Sequence, residues 1–428
     1  MVGPTSRFQR LWAIVDKWLI LGSTPGYYVS IMGIGITSNI LYLFPYQGQW
    51  MRDISYIYFG IACVWFLILT GFMIWSVIRI PEKFITFHVN PNIAPFMGCF
   101  AMGYMTLINF LWDITEPIHK SSTVLIIWAF WWVSVFLSVY TAGVVFAFTF
   151  IIKLESAECK SHNNKIEEHE LNLPILLPIV ALTVAASQGN ILLTHLPNLR
   201  LQLITIFTCF ILWSIAVVVA FMIVTINLWK LLIHKLPPTS MIFTSFLPIG
   251  FLGQGAFGIC LMGNNLSDII LNSNDPVENY LLYAMKDNID ILLLKQILSN
   301  VFVILCSTAC TFMIAMGYFM TFIAVMSIFS KIKPFVKNPN PQFTHPKYGF
   351  IMFNRGFWSM TFPLGTMSLA QNELSRTFGT GIIFFKIMSC IYAVCLFIIT
   401  TGCIFGVIRT ACKEIKQAWH CKKQDCIV

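Results

Sequence analysis

Five stretches of this chain set amide and hydroxyl side chains in otherwise apolar surroundings, each with glycine or proline close by. In order they read GIGITSNILYLFP, NIAPFMGCFAMGYMTLINF, PILLPIVALTVAASQGNIL, FLPIGFLGQGAFG and FWSMTFPLGTMSLAQNEL. Their polar groups are Thr37, Ser38 and Asn39; Asn109; Ser187, Gln188 and Asn190; Gln254; and Thr361, Thr366, Gln371 and Asn372. Neutral donors of this kind, helped by backbone N–H groups freed where a helix breaks, hold a small anion without a fixed positive charge. Weak, distributed contacts also let the anion leave, which a buried lysine would hinder. Each group has a plainer alternative. A small-residue patch is ordinarily a close helix contact, and a hydroxyl inside a helix commonly bonds back to its own backbone. Five recurrences of one combination favour a shared path.

Titratable chemistry is scarce in these stretches. Glu373 stands at the end of the last and His195 follows the third, and no Asp/Glu/His set resembles a proton relay. No His/Glu spacing suits a metal and no nucleophile stands beside a base. An enzyme is therefore not expected, nor a resident cofactor. The 13 cysteines form no CxxC pair. Those in apolar runs read as small buried hydrophobes, so no disulfide framework is expected. Cys412, Cys421 and Cys426, in the basic tail, carry only a weak palmitoylation motif.

The elements that must position these groups follow from composition. Of 428 residues, 57% are hydrophobic and 11% charged, against roughly 25% charged in an average soluble domain. The chain lacks the polar surface water demands and reads as an all-α polytopic membrane protein. Ten spans are expected, near residues 25–44, 54–78, 93–112, 123–152, 174–196, 199–229, 239–263, 291–329, 355–373 and 378–409. The transmembrane domain is thus 25–409, between a cytoplasmic segment 1–24 and a short basic cytoplasmic tail 410–428. The first span is too rich in glycine and polar groups for a signal-peptide core. The eighth, about 58 Å long at 1.5 Å per residue, exceeds a hydrocarbon core of about 30 Å and must project or bend.

Even-numbered spans are long and uninterrupted, and the five polar stretches are the odd ones. The alternation predicts five helical hairpins repeated in one orientation. The odd helices then form an inner ring around a central pore and the even ones meet the membrane lipids. Polar groups and helix breaks are tolerated where protein or a water-filled cavity lies alongside.

With both termini in the cytoplasm, seven of the 27 lysines and arginines fall outside: Arg52, Lys120, Arg200, Lys286, Lys295, Arg376 and Lys386. The other 20 lie inside, which is the expected bias. The net charge of +9 is mostly this topological signal, and no nucleic-acid recognition motif accompanies it. Lys295 and Lys386, near external helix ends, either shape a positive outer field or anchor at the interface. Residues 264–290 read as a large external loop, whose Asn265-Leu266-Ser267 is a sequon for N-glycosylation at Asn265. Residues 155–170 read as a charged cytoplasmic linker with solvated His162 and His169. Phe362, before Pro363 in TFPLGT, is either core packing or a dry constriction at a helix break.

MGIGITSNILYLFPY, LPIGFLGQGAFG, NRGFWSMTFPLGTMSLAQNEL, HKLPP and MGYFMTFIAVMSI resemble segments of the tellurite-resistance/dicarboxylate transporter and slow anion channel family, and within it the fungal sulfite efflux branch. The similarity extends from about Gly26 to Ile408. The resemblance implies ten membrane helices as five hairpins around a pore, a plasma-membrane location, and transport of sulfite, mainly as hydrogensulfite. It also implies that Phe362, at the position of the pore-occluding phenylalanine of the relatives, is the gate, and that the chain forms a homo-oligomer, with trimers among bacterial and plant relatives. The basic tail ends soon after the tenth span, so regulation through a long carboxyl tail is not expected. A carrier for malate or another small anion is the nearest alternative, though a dicarboxylate favours a cationic group that the odd spans lack. A non-transporting scaffold or receptor is the alternative from another class, and five similar polar stations would give it little.

Overall fold

The computed structural model describes residues 16–115, 121–152, 172–272, 291–336, 340–345 and 349–420. Among these the chain is almost wholly helical, with a single bridge pairing Thr344 and Ile351. Ten long helices follow in order: α1 (Tyr28–Tyr42), α2 (Gln49–Arg79), α3 (Met97–Thr115), α4 (Ser121–Phe150), α5 (Leu176–Leu192), α6 (Leu199–His234), α7 (Leu247–Asn272), α8 (Ile291–Phe329), α9 (Thr361–Thr377) and α10 (Ile383–His420). Eight of them, α2 to α8 and α10, are long and apolar enough to cross a membrane. The protein is a multi-pass membrane protein.

The odd helices start on short 3₁₀ turns: Pro25–Tyr27, Ala94–Phe96, Leu173–Ile175, Thr239–Phe246 and Arg355–Met360. Proline stands in the first two positions of three of these turns, where its missing N–H costs no helical bond and its fixed φ is already helical. The long even helices contain no proline and keep an unbroken ladder, apart from a π-helical turn at Tyr140–Val145 in α4.

Burial separates the two sets. The most apolar windows of α3, α5 and α7 are 67%, 94% and 89% buried, whereas those of the even helices are 17% to 33% buried. In α1 and α9 nearly every residue is buried. Even helices turn Leu67, Phe136, Phe207, Phe312 and Phe405 outward, side chains that only lipid solvates without cost. Each odd helix packs on the next, α1 on α3, α3 on α5, α5 on α7, α7 on α9, and α9 back on α1. Every even helix packs on the odd helix of its own hairpin.

Glycine sets how closely the odd helices approach. A Cβ on Gly98 of α3 would lie 2.6 Å from the Leu177 carbonyl oxygen, at the head of α5. One on Gly253 of α7 would lie 2.6 Å from the Met367 amide nitrogen of α9. Both neighbours are backbone and cannot swing aside, so only glycine fits. Close backbone approach is what drives helix association where lipid is as apolar as the side chains.

An amino-terminal strap ties down the start of α1. Arg79 pairs with Asp16, and Lys83 Nζ donates to the Ile20 and Leu21 carbonyls at 2.7 Å each. Burial lowers the pKa of the Lys83 ammonium from its ordinary value. Arg355 stacks over Trp18 and Tyr27, 4.7 and 4.9 Å from their ring centroids.

Two helix ends differ most from the sequence reading. Helix α7 continues to Asn272, well past residue 263, so Asn265 is not in a loop. Its side chain is buried and its Nδ2 donates to the Asn190 carbonyl. The amide is spent inside the bundle, and a glycan has no access to it in this packing. Helix α10 runs to His420, beyond the expected end at 409. Residues 155–170, with His162 and His169, lie outside the described residues, as do Cys421, Cys426 and residues 273–290 of the expected loop.

Candidate anion path along the odd helices

A small apolar cavity of about 20 Å³ lies where the heads of the odd helices converge. Val29 and Met32 come from α1, Met102 from α3, Val180 from α5, Gly250 from α7, and Phe362 with Pro363 from α9. The proline fixes the backbone just after Phe362 and cannot donate to the turn below it. The Phe362 ring is 5% exposed. A cavity of this size holds about one water molecule and no oxyanion, so the axis is closed at this level.

Beyond the cavity the same faces open gradually. On α9, Leu369 and Glu373 are the part-exposed residues between 361 and 375, seven and eleven residues after Phe362. Seven and eleven residues bring a helix back to nearly the same face. The pattern repeats with Asn109 seven after Met102, Ile191 eleven after Val180 and Leu261 eleven after Gly250, all part-exposed. On four helices this face thus regains exposure away from Phe362.

The polar candidates divide by where their donors go. Gln188 lies eleven residues after Leu177, another residue of the cavity wall, so it shares the inward face. It is 1% exposed, and neither its Nε2 nor its Oε1 has a partner among the described residues. Asn39 faces the cleft between α1 and α3 and donates to Gly35 O at 2.7 Å and Thr106 O at 3.0 Å. Gln254 donates to Ser187 Oγ, and Ser187 donates to Val184 O at 3.0 Å. Asn190 Nδ2 donates to Gly258 O at 3.3 Å, while its Oδ1 has no partner among the described residues. Asn109 is half-buried on the face that regains exposure.

The remaining candidates point elsewhere. Thr37 donates to Gly33 O at 2.7 Å and lies 2.9 Å from Thr400 Oγ1 on α10, which turns it toward an outer helix. Ser38, Thr361 and Thr366 each bond back to their own helix, to Gly35 O, Trp358 O and Pro363 O at 2.7, 2.7 and 3.0 Å. Asn372 donates to Leu43 O at 3.3 Å, spanning the contact between α9 and α1. Gln371 is fully buried and its amide lacks a partner among the described residues. It follows Met367 by one turn, however, and Met367 Sδ packs against Gly317 of α8. Gln371 therefore lies on the face away from the cavity. Lys295 is buried at 7% exposure, and Lys386, part-exposed, sets its Nζ 4.3 Å from the Tyr46 ring centroid.

The wall residues Met32, Val180, Leu261 and Leu369 carry no signal of their own in the sequence, because apolar residues occupy several faces of their helices. Counting back in helical turns from Phe362 and Gln188 is what would have found some of them.

Residues 23–408 match the SLAC1 family of voltage-dependent anion channels. The chain belongs to the SLAC1 voltage-dependent anion channel family. Among curated proteins it is 39% identical over 413 residues to the sulfite efflux pump SSU1 of Candida albicans, a match covering 96% of this chain and 78% of the relative. It is 33% identical over 376 residues to the protein of the same name from Saccharomyces cerevisiae, covering 82% and 78%. The sulfite efflux pump SSU1 of Arthroderma benhamiae is 27% identical over 404 residues, covering 94% of each chain. The match to the family spans α1 to α10 almost entirely, including every odd helix that contributes to the cavity.

Proposed function

We propose that this protein exports sulfite from the cytosol across the plasma membrane, mainly as hydrogensulfite, along the axis enclosed by the five odd helices. All ten helices span the membrane in this reading, α1 and α9 as short inner spans, with both termini cytoplasmic. Phe362 closes the path at rest, and the neutral donors above it, Gln188 foremost, replace part of the hydration shell of the passing anion. The observation that carries the reading is the convergence of every odd helix on one small apolar cavity beside Phe362, in a chain whose relatives are named sulfite efflux pumps.

The wall of that cavity holds no ionisable side chain. A neutral path suits a monovalent anion, which loses less hydration energy on entering than a dianion and needs no fixed countercharge. An inside-negative potential of 100 mV favours exit of one negative charge by about 2.3 kcal/mol, so the outward step needs no coupled ion. Lys295 is buried and Lys386 is covered by an aromatic ring, so neither is required as an outer collector. A homo-oligomer is compatible with the exposed apolar faces of the even helices, and in this reading each chain carries its own path.

The test is a flux panel in proteoliposomes, comparing sulfite, chloride, nitrate and malate at controlled pH and voltage. Sulfite flux well above malate flux, rising with an anion-expelling voltage, is expected. Malate flux equal to or above sulfite flux would replace the substrate, and no flux of any anion would leave a scaffold role.

A further inference from the structure

Glu373 is the carboxylate that the inward face of α9 carries. It lies eleven residues after Phe362, which returns it to nearly the same face about three turns along. Its side chain is 12% exposed, between the closed cavity and the open end of the bundle. Two groups hold it there. Asn264 Nδ2, on the adjoining face of α7, donates to Glu373 Oε1 at 3.0 Å and to Thr377 Oγ1 at 2.9 Å. Arg376 places a guanidinium nitrogen 3.9 Å from Oε2, but its own side chain is 58% exposed. Asp268, one turn beyond Asn264 on α7, is exposed at the mouth, while Lys386 of α10 is taken by Tyr46. A carboxyl group thus stands beyond the closed cavity, held by one amide and approached by one solvated guanidinium. An anion conductor gains no affinity from that arrangement.

We propose that Glu373 is a specificity-determining residue, a charge filter on the outer path that passes monoanions and rejects dianions. This inference rests on the axial path proposed above and names the ionic form that path takes, hydrogensulfite in preference to the sulfite dianion. Repulsion between fixed charge and ion doubles when the ion carries two charges, and it is weakly screened where water is sparse. The exposed Arg376 keeps the monoanion penalty small. The contact from Asn264 fixes the carboxylate on the axis side, where rotation would otherwise carry it away.

The experiment measures nitrate as monoanion and malate and sulfate as dianions in voltage-controlled proteoliposomes, at one pH, for wild type, Glu373→Gln and Glu373→Ala. Both variants are expected to raise the dianion-to-nitrate permeability ratio about tenfold, the scale of one partly screened charge contact. A ratio within twofold of wild type, with nitrate still conducted, would overturn the filter and leave the axial path standing. Absence of flux of nitrate and of sulfite alike in wild type would instead overturn the path. Arg376→Glu, at an exposed position that tolerates change, supplies a second arm should the Glu373 variants not reach the membrane. It is expected to slow nitrate about threefold, and unchanged nitrate flux in it would also count against a charge filter at this level.

Discussion

At the scale of single residues, the structure ranks amides that look equivalent in the sequence. Asn39, Gln254 and Asn372 spend their donors on carbonyl or hydroxyl oxygens, and so bind helix to helix before they bind an ion. Gln188 keeps both amide atoms free of partners among the described residues, on the inward face. A buried amide left so costs about 1–3 kcal/mol, whereas a hydrogen bond to a charged group is worth about 1.5–3 kcal/mol. In the proposed path Gln188 is therefore a group whose cost a passing anion would offset. Gln188→Leu is expected to lower sulfite flux about tenfold while leaving thermal stability equal or higher, and paired flux and melting measurements check both. Gln371→Leu removes an equally unpartnered amide on the opposite face and is expected to leave flux within twofold. Equal losses in the two variants would show that burial alone, without position, decides the effect. Which amide looks inward is not legible from the chain alone. Helix α5, which carries Gln188, has hardly any amphipathic pattern, and such a helix hides its own orientation.

At the scale of elements, much was legible. Proline and glycine in the odd spans predict broken inner helices, and uninterrupted leucine, isoleucine and phenylalanine predict long outer ones. The burial of α3, α5 and α7 against the exposure of α2, α6 and α8 follows that division. The end of α7 was not legible. Asn264, Asn265, Ser267 and Asp268 read as a loop by composition, yet the helix carries them in because Asn264 and Asn265 find partners on α9 and α5. Tertiary contacts override local propensity there. The glycine contacts give this scale its own prediction. Gly98→Val would press a side chain into the Leu177 carbonyl, and overpacking of this kind costs about 1–3 kcal/mol. Lower melting temperature and reduced surface expression are expected, read against Gly60→Ala on α2, where a Cβ meets nothing within 4 Å. Equal behaviour of the two variants would mean that the odd helices need no close approach at α3 and α5.

At the scale of the whole molecule, an outer layer that only lipid can solvate surrounds an inner set of helices that close on one another. In the proposed function the inner set supplies neutral donors and an apolar closure, the outer set holds it in the bilayer, and the membrane potential would supply the direction. In the proposed path one aromatic ring beside a proline at a helix head forms the closure, so removing the ring should open the axis without dismantling the wall. The measurement that tests this most directly is the anion current of purified Phe362→Ala against wild type in voltage-clamped bilayers with sulfite on the cytoplasmic side. The account predicts a several-fold larger, anion-selective current from a variant that is folded and inserted as wild type is. Wild-type current from such a variant would contradict a path that runs through the axis of the odd helices.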